Sequence, residues 1–255
     1  MIMAKIQEVL TYHSQNTYAA IKYEKKDIPY IENNPTVFYH NDFYNFVFTD
    51  FNAIDYNFLI TLFYLFKEKK NLTIQINTLF LASFMNKKFY NKKRMIREFK
   101  AFSEKVMKVY IKTHYQETTS YFNLFNHIHI DEKRGNFYIA LDQNIIDIIN
   151  NSNTFYTKFF IKEFYALDGK YSKIFYLLFI SFKNKSCLKI SKDNLYKYLD
   201  LSSSYERKDN FEKRVLRPAL QELEEKSSFS NLMCEEIKGE NNEIAFIFHY
   251  EKEKI

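Results

Sequence analysis

The sequence predicts a predominantly helical α+β fold in which two tandem domains repeat one order of secondary structure. The 255 residues suit two compact domains, and an apolar content of 46% is enough to build a core in each. Stretches with the apolar spacing of amphipathic helices alternate with short strand-like stretches. The order helix, strand, helix, helix and hairpin can be followed twice along the chain.

The first copy begins with a core helix from Ile54 to Lys67, and residues 72–76 then alternate like a short strand. Asn77 can cap a helix that reaches about Met85, and a second helix is predicted over about Asn91–Thr113. The hairpin that follows turns through Gly135. Its predicted inward face consists of Phe122, Leu124, Asn126, Ile128, Ile130, Phe137, Ile139 and Leu141.

The second copy repeats that order between residues 171 and 250. Its predicted elements are a helix at Tyr171–Phe182, a strand with Leu188 and Ile190, a helix at Asn194–Leu199 started by Ser191 and Asp193, a long helix at about Asp209–Lys226, and a hairpin of Leu232–Ile237 and Glu243–Tyr250. Pro218 removes one backbone donor inside the long helix and should bend that helix without ending it.

The two copies predict two winged-helix domains, domain 1 at 36–150 and domain 2 at 151–255, joined near Asn150–Leu167. Residues 1–35 show no sustained periodicity and contain Pro29 and Pro35, which predicts a weakly ordered N-terminal arm. The alternative is a single irregular α+β domain.

The long helix of the second copy has the pattern of a helix that reads duplex DNA. In a winged helix the third helix enters the major groove, and the hairpin contacts the backbone or the minor groove. Phe211, Val215, Ala219 and Leu223 predict a buried stripe, while basic residues gather on the other face and at the helix start, where the helix dipole favours phosphate. The predicted DNA-binding residues are Ser203, Ser204, Arg207, Lys208, Lys213, Arg214 and Arg217. Arg207 and Arg214 have the best chemistry for reading bases.

The first copy repeats this asymmetry. Its apolar stripe runs from Met95 to Val109, and the predicted DNA-binding residues at its start are Lys92, Lys93, Arg94, Arg97 and Lys100. Charge runs commonly do no more than solvate an exposed helix face, but repetition at matching places weakens that alternative. Two such helices predict double-stranded DNA as the partner, over about two turns of duplex.

The remaining composition argues against several other classes. The 37 Lys and Arg residues against 31 Asp and Glu give a net charge of +6, which favours a polyanionic partner. Cys187 and Cys234 have no paired spacing, so no disulfide, metal or cofactor is predicted. No apolar run approaches the roughly 20 residues of a membrane span, and the start lacks a signal-peptide pattern. We therefore expect a cytoplasmic protein without a membrane partner.

His127 and His129 share one face of a predicted strand and, with Tyr205, resemble the metal-binding pair and the nucleophile of a rolling-circle nickase. No further ligand stands at a telling position, and such short matches arise often by chance. We therefore predict that the chain is not an enzyme. The nickase and a plain winged-helix transcriptional repressor remain alternatives, whereas the aromatic spacing favours core packing over a single-strand platform.

Two C-terminal segments resemble the Rep initiators of iteron-bearing bacterial plasmids. One is similar to the family segment L-x-S-x-Y-S-x-R-L-Y-x-L-L through Leu167, Tyr171, Ser172, Ile174, Tyr176 and Leu178. The other is similar to the family's recognition helix, Y-x-R-x-x-x-F-K-R-R-V-L-x-P-A-x-x-E-I-N, through Tyr205, Arg207, Phe211, Lys213, Arg214, Val215, Leu216, Pro218, Ala219 and Glu222. Lys173, Glu212 and Glu224 depart from the family pattern, and Glu212 replaces a usual basic residue.

The resemblance covers about residues 40–250 and implies a plasmid replication initiator. Such proteins bind tandem origin repeats as monomers, help to melt adjacent AT-rich DNA, and recruit the host initiator and replicative helicase. As dimers joined through the N-terminal domain they bind an inverted repeat, the operator, and repress their own gene. The resemblance gives Arg207, Lys213 and Arg214 roles as base or phosphate readers.

Overall fold

The computed structural model describes residues 21–23, 35–40, 48–67, 73–85, 90–115, 117–141, 145, 156–182, 186–205, 207–238 and 243–252. Their contacts group them into two compact units, the first within 1–31 and 65–147 and the second within 32–64 and 148–255. These ranges differ from the predicted domains because most of the helix that begins at Ala53 packs in the second unit. The boundaries at 35 and 150 stay a prediction.

In the first half of the chain the elements are β1 (Ile21–Tyr23), β2 (Thr36–His40), α1 (Ala53–Phe66), β3 (Thr73–Asn77), α2 (Thr78–Phe84), α3 (Lys92–Val106), β4 (Tyr110–Tyr115), β5 (Thr118–Asn123), β6 (Phe125–Asp131) and β7 (Asn136–Leu141). In the second half they are β8 (Tyr156–Phe160), α4 (Ile161–Ala166), α5 (Lys170–Ser181), β9 (Cys187–Ser191), α6 (Lys192–Tyr198), α7 (Lys208–Phe211), α8 (Arg217–Lys226), β10 (Phe229–Lys238) and β11 (Ile244–Lys252). A 3-10 turn (Ser203–Tyr205) precedes α7, and a π-helical segment (Glu212–Leu216) connects α7 to α8.

The two larger sheets confirm the predicted repeat. In the first unit β3 pairs antiparallel with β7, which pairs antiparallel with β6. In the second unit β9 pairs antiparallel with β11, which pairs antiparallel with β10. Each copy therefore places the second strand of its hairpin in the middle, which confirms the α+β fold with an internal pseudo-repeat.

Matching caps begin the helix after the first strand of each copy. Asn77 Oδ1 accepts a hydrogen bond from the Leu79 N–H at 2.8 Å. Ser191 Oγ accepts one from the Asn194 N–H at 3.3 Å. A capping side chain satisfies an N–H that has no partner within the helix, and the predicted caps Asn77 and Ser191 are confirmed, although α6 begins at Lys192 and not at Asn194.

The helix predicted over about Asn91–Thr113 is shorter in the structure than the sequence predicts. Its apolar stripe is confirmed from Met95 to Val106, but α3 ends at Val106. Residues 110–115, assigned in part to that helix, form β4, which pairs antiparallel with β5. The segment contains Tyr, Ile and Thr, whose side chains favour strands, and the pairing with a neighbouring segment decides the outcome.

The predicted inward face of the first hairpin is correct on β7 and wrong at the start of β6. Phe137, Ile139 and Leu141 are buried, as predicted. Leu124 and Phe125 are both buried although they are adjacent, and Asn126 is exposed. The pairing of β6 with β7 shifts register between Phe125 and His127, so a single alternation does not hold across this point.

Two segments without a predicted element form strands. The stretch near 150–167, predicted to join the two domains, contains β8 and α4. Strand β8 pairs antiparallel with β2. Within the predicted arm, β1 pairs parallel with β3; the rest of residues 1–34 lies outside the described residues. Both pairings join segments far apart in sequence, which local periodicity does not reveal.

Helix α5 forms the core of the second unit. Its residues 172–180 are all buried. Phe175 and Phe179 each contact Phe248 of β11 with ring centroids 5.4 Å apart, and Phe179 contacts Phe229 of β10 at 5.8 Å. These contacts hold the sheet against the helix. Among the helices that the structure describes, none is long and apolar enough to cross a membrane.

Candidate nucleic-acid interface

The long helix of the second unit consists of α7, the π-helical segment and α8, and it separates an apolar face from a basic one. The predicted stripe is confirmed, because Phe211, Val215, Ala219 and Leu223 are buried. Phe211 packs on Tyr196 with ring centroids 5.0 Å apart. The predicted cations of this helix are all exposed on the other side: Arg207, Lys208, Lys213, Arg214 and Arg217.

Pro218 is accompanied by a wider helical turn. Proline lacks an N–H, and its ring crowds the carbonyl four residues earlier, so a regular α-helical turn is disfavoured there. The chain instead forms the π-helical segment, in which the Arg217 N–H donates to the Glu212 carbonyl oxygen five residues earlier. The helix then runs to Lys226, which confirms that Pro218 does not end it.

Ion pairs divide the five cations of the long helix into two groups. Glu212 lies 3.9 Å from Lys208 Nζ and 3.8 Å from Arg217 Nη2. Lys208 also contacts Glu236 of β10 at 2.9 Å, and the hydrogen bond to Glu236 raises the pKa of Lys208. The others, Arg207, Lys213 and Arg214, form no ion pair with any residue that the structure describes.

The predicted serines lie in the 3-10 turn before α7. Ser203 and Ser204 are exposed, and the hydroxyls of Ser202 and Ser204 are 2.7 Å apart. Asn210 Nδ2 donates to the Ser204 carbonyl oxygen at 3.1 Å, which holds the turn against the helix. The start of α7 has no side-chain cap.

Helix α3 presents the second predicted cluster. Asn91 caps it, with Oδ1 accepting from the Arg94 N–H at 3.0 Å. Arg94 pairs with Glu98 at 2.7 Å, and Lys100 pairs with Glu132 in the turn between β6 and β7. Lys92 Nζ donates to the Lys133 carbonyl oxygen of the same turn at 2.8 Å. The remaining predicted cations, Lys93 and Arg97, are exposed and have no such bond within the described part of the chain.

A shallow groove of about 390 Å³ lies between the exposed side of α3 and the β6–β7 turn. Its lining combines cations with two carboxylates and a small apolar floor: Lys93, Ile96, Arg97, Lys100, Ala101, Glu104 and Glu132. Lys93 and Arg97 therefore lie at a concave surface whose charge is mixed.

Gly135 allows the β6–β7 turn to approach α3 closely. We therefore expect Gly135→Ala to destabilise the first unit by about 1–2 kcal/mol. Its φ of +74° is unfavourable for alanine, and an added Cβ would lie 2.8 Å from Lys92 Cε and 2.9 Å from Thr78 Oγ1. Urea denaturation of the full chain measures the change. Lys133→Ala is the control, because it keeps the carbonyl that Lys92 uses; equal losses in both variants would contradict this account.

The two nickase histidines lie side by side in the first unit, and Tyr205 belongs to the second. The rings of His127 and His129 are nearly parallel with centroids 6.4 Å apart, which confirms that they share one face. Tyr205 packs edge-on against Tyr171 at 6.4 Å. Within the described ranges no three His, Cys, Asp or Glu side chains are grouped so that they could hold a metal ion.

Family models match both halves of the chain. A model described as "Initiator Replication protein, WH1" matches residues 36–180, more than half of the sequence, and one described as "Initiator Rep protein, WH2" matches residues 191–250. The chain belongs to the initiator Rep protein family. The two models also confirm the two predicted winged-helix domains of this Rep chain. A search of curated proteins found no match.

A solved structure has the fold of this Rep chain throughout its own length. It is described as "Crystal structure of Pi initiator protein in complex with iteron DNA" and is 15% identical, with a TM-score of 0.67. The match covers 88% of this chain and 100% of that one. At this identity the likeness establishes the fold.

Ser172 and Glu222, one from each Rep-like segment, are joined by a hydrogen bond. The Glu222 carboxylate accepts hydrogen bonds from the N–H groups of Asp168 at 2.6 Å and Gly169 at 3.0 Å, from the Ser172 hydroxyl, and from Lys226 Nζ at 2.9 Å. Burial tends to raise the pKa of Glu222, but these bonds outweigh burial and lower the pKa to about 2. Glu222 thereby ties α8 to the start of α5.

We expect the second unit to lose stability in acid as Glu222 is protonated. The pKa of Glu222 is depressed in the folded state, so its contribution is complete above about pH 4.5 and declines as the pH falls toward about 2. The loss is roughly 2 kcal/mol after discounting for solvent screening. Urea denaturation across this range measures it. Glu222→Gln should lack this part of the pH dependence, and an unchanged acid profile in that variant would refute the assignment.

Lys173 is structural in this Rep chain. It is buried, and its Nζ donates to the Phe164 carbonyl oxygen at 2.7 Å and lies 4.4 Å from the centre of the Phe164 ring. The cation thus satisfies a carbonyl near the end of α4. Lys173 is therefore no part of the exposed basic face.

The sequence analysis did not predict the carboxylates that form ion pairs with the predicted DNA-binding cations. Glu236 and Glu132 lie in hairpins, and their contacts with Lys208 and Lys100 join separate elements. No local pattern indicates such partners. Glu98 and Glu212 had a signal, since Glu98 stands four residues after Arg94, the spacing of a helical ion pair, and Glu212 stands where the family pattern has a basic residue.

Proposed function

We propose that this Rep chain initiates plasmid replication by binding repeated double-stranded sites at the origin through its two basic helices. The family match carries the proposal, because it covers both winged-helix domains. The exposed cations without an ion pair among the described residues support it: Arg207, Lys213 and Arg214 on the long helix, with Lys93 and Arg97 on α3. The similar fold of an initiator crystallised with iteron DNA agrees with this choice of duplex partner.

Selection from a randomised duplex library tests the DNA-binding step. The full chain should enrich a sequence spanning roughly two turns of duplex, and that sequence should recur as tandem repeats beside the gene. A plasmid carrying those repeats and the gene should replicate, and deletion of the repeats should abolish replication. Enrichment of no sequence would refute site-specific binding. Enrichment without replication would favour the plain transcriptional repressor.

We further propose that the protein binds the origin repeats as a monomer and an operator as a dimer that represses its own gene. The family resemblance supports this, and it also suggests the host initiator and replicative helicase as partners. Sedimentation of the chain on a single repeat and on an inverted repeat should give one and two copies per duplex. One copy on both DNAs would refute the dimer.

We also propose that the chain acts in the bacterial cytoplasm, bound to plasmid DNA, without catalysing strand cleavage. Incubation of supercoiled plasmid with the protein and Mg²⁺ or Mn²⁺ should give neither nicked circles nor a covalent protein–DNA adduct. A metal-dependent adduct that disappears in Tyr205→Phe would establish the nickase.

A further inference from the structure

Glu212 lies in the middle of the basic face of the long helix. Its carboxylate contacts Lys208 four residues before it and Arg217 five residues after it. Arg217 is otherwise exposed, and Lys208 has Glu236 as a second partner. Lys208 and Arg217 are therefore held in ion pairs, while Arg207, Lys213 and Arg214 have none among the described residues.

The π-helical segment makes the contact between Glu212 and Arg217 possible. In an α-helix of about 3.6 residues per turn, residues three and four apart are neighbours, whereas residues five apart lie on different faces. A π-helical turn closes over five residues, and the backbone bond from the Arg217 N–H to the Glu212 carbonyl shows that it does so here. The turn at Pro218 thus places the guanidinium beside the carboxylate.

We propose that Glu212 limits sequence-independent DNA binding by withholding Arg217, and together with Glu236 also Lys208, from phosphate. The inference rests on the proposed function, because it assigns a specificity role within the same DNA-binding face. Proteins obtain specificity by weakening competing complexes as well as by strengthening the correct one. A carboxylate on a DNA-facing helix also repels phosphate directly.

The effect should be greater on random duplex than on the selected site. Sequence-independent binding depends almost wholly on phosphate neutralisation, and the protein slides, so any free cation can find a phosphate. In a specific complex the base contacts fix the register of the helix. Arg217 can then reach phosphate only if that register places one beside it. Release of Arg217 should therefore tighten binding to random-sequence duplex and reduce the ratio of affinities for the selected site and random duplex.

Glu212→Gln tests this, with Glu225→Gln as the matched control. Glu225 is exposed on the same helix and accepts a hydrogen bond only from Gln221 among the contacts described, so its substitution makes the same change in net charge without releasing a cation. Affinity for a random-sequence duplex is measured over a range of salt concentrations. We expect Glu212→Gln to steepen the log–log salt slope by about 0.9, the value for one added phosphate contact, and to tighten binding roughly fivefold at low salt.

Two further measurements separate this mechanism from a general gain of charge. Glu212→Gln combined with Arg217→Ala should lose the added slope, since Arg217 is the released group. On the duplex that the wild type enriches from a randomised library, Glu212→Gln should gain less than on random DNA. Equal slopes for Glu212→Gln and Glu225→Gln, or a gain that survives the loss of Arg217, would overturn the proposal. If the wild type enriches no duplex, the proposed function fails, while the random-duplex slopes still decide the role of Glu212.

Discussion

Glu222→Ala is expected to destabilise the second unit by about 3 kcal/mol. The substitution removes one acceptor from four donors at once: two backbone N–H groups, the Ser172 hydroxyl and Lys226 Nζ. Because Ser172 is buried, its hydroxyl would lose the Glu222 carboxylate as acceptor at a place where water cannot take over that hydrogen bond. Thermal denaturation of the full chain should show the midpoint lowered by roughly 10 °C.

The control for this prediction is Glu225→Ala, one turn further along α8. Glu225 is exposed and accepts only from Gln221 among the described contacts, so its loss should change stability by no more than about 0.5 kcal/mol. Comparable losses at the two positions would show that Glu222 does not anchor the helix.

Arg214→Ala is expected to weaken binding to the selected duplex by about 1–3 kcal/mol, with a far smaller loss on random duplex. Arg214 is exposed on the long helix and has no ion pair among the described residues, so the guanidinium is available for two acceptors on a guanine. Arg207→Ala should behave in the same way. Equilibrium titration with both DNAs at one salt concentration measures the two losses.

Arg217→Ala provides the contrast on the same helix. Arg217 is equally exposed but lies 3.8 Å from Glu212, so its removal should cost less at the selected duplex than removal of Arg214. Equal losses of Arg214 on both DNAs would mean that this residue contacts the backbone and reads no base. A larger loss for Arg217 would mean that the ion pair opens on DNA.

The repeated scaffold could be predicted from the sequence because it depends on local signals. The stripe from Phe211 to Leu223 follows helical spacing, and Asn77 and Ser191 are capping residues directly before a helix. The hairpin β4–β5 and the pairing of β2 with β8 could not be predicted in this way. Their formation depends on which segment lies alongside, and strand preference is weaker than such context.

The basic faces could be predicted from the sequence, but which of their cations form ion pairs could not. Exposure of Arg207, Lys213 and Arg214 follows from their place opposite the apolar stripe. Whether a cation is paired depends on carboxylates from other elements, as for Lys208 with Glu236. The contact of Glu212 with Arg217 needs the π-helical turn, and a helical projection with regular spacing places these two residues apart.

The bond from Lys92 to the Lys133 carbonyl, with Gly135 beneath it, has a practical consequence for protein engineering. Helix α3 and the tip of its hairpin share these contacts, so an exchange of the helix alone between relatives would leave Glu132 without Lys100. Chimaeras between Rep chains should therefore exchange residues 91–136 as one segment.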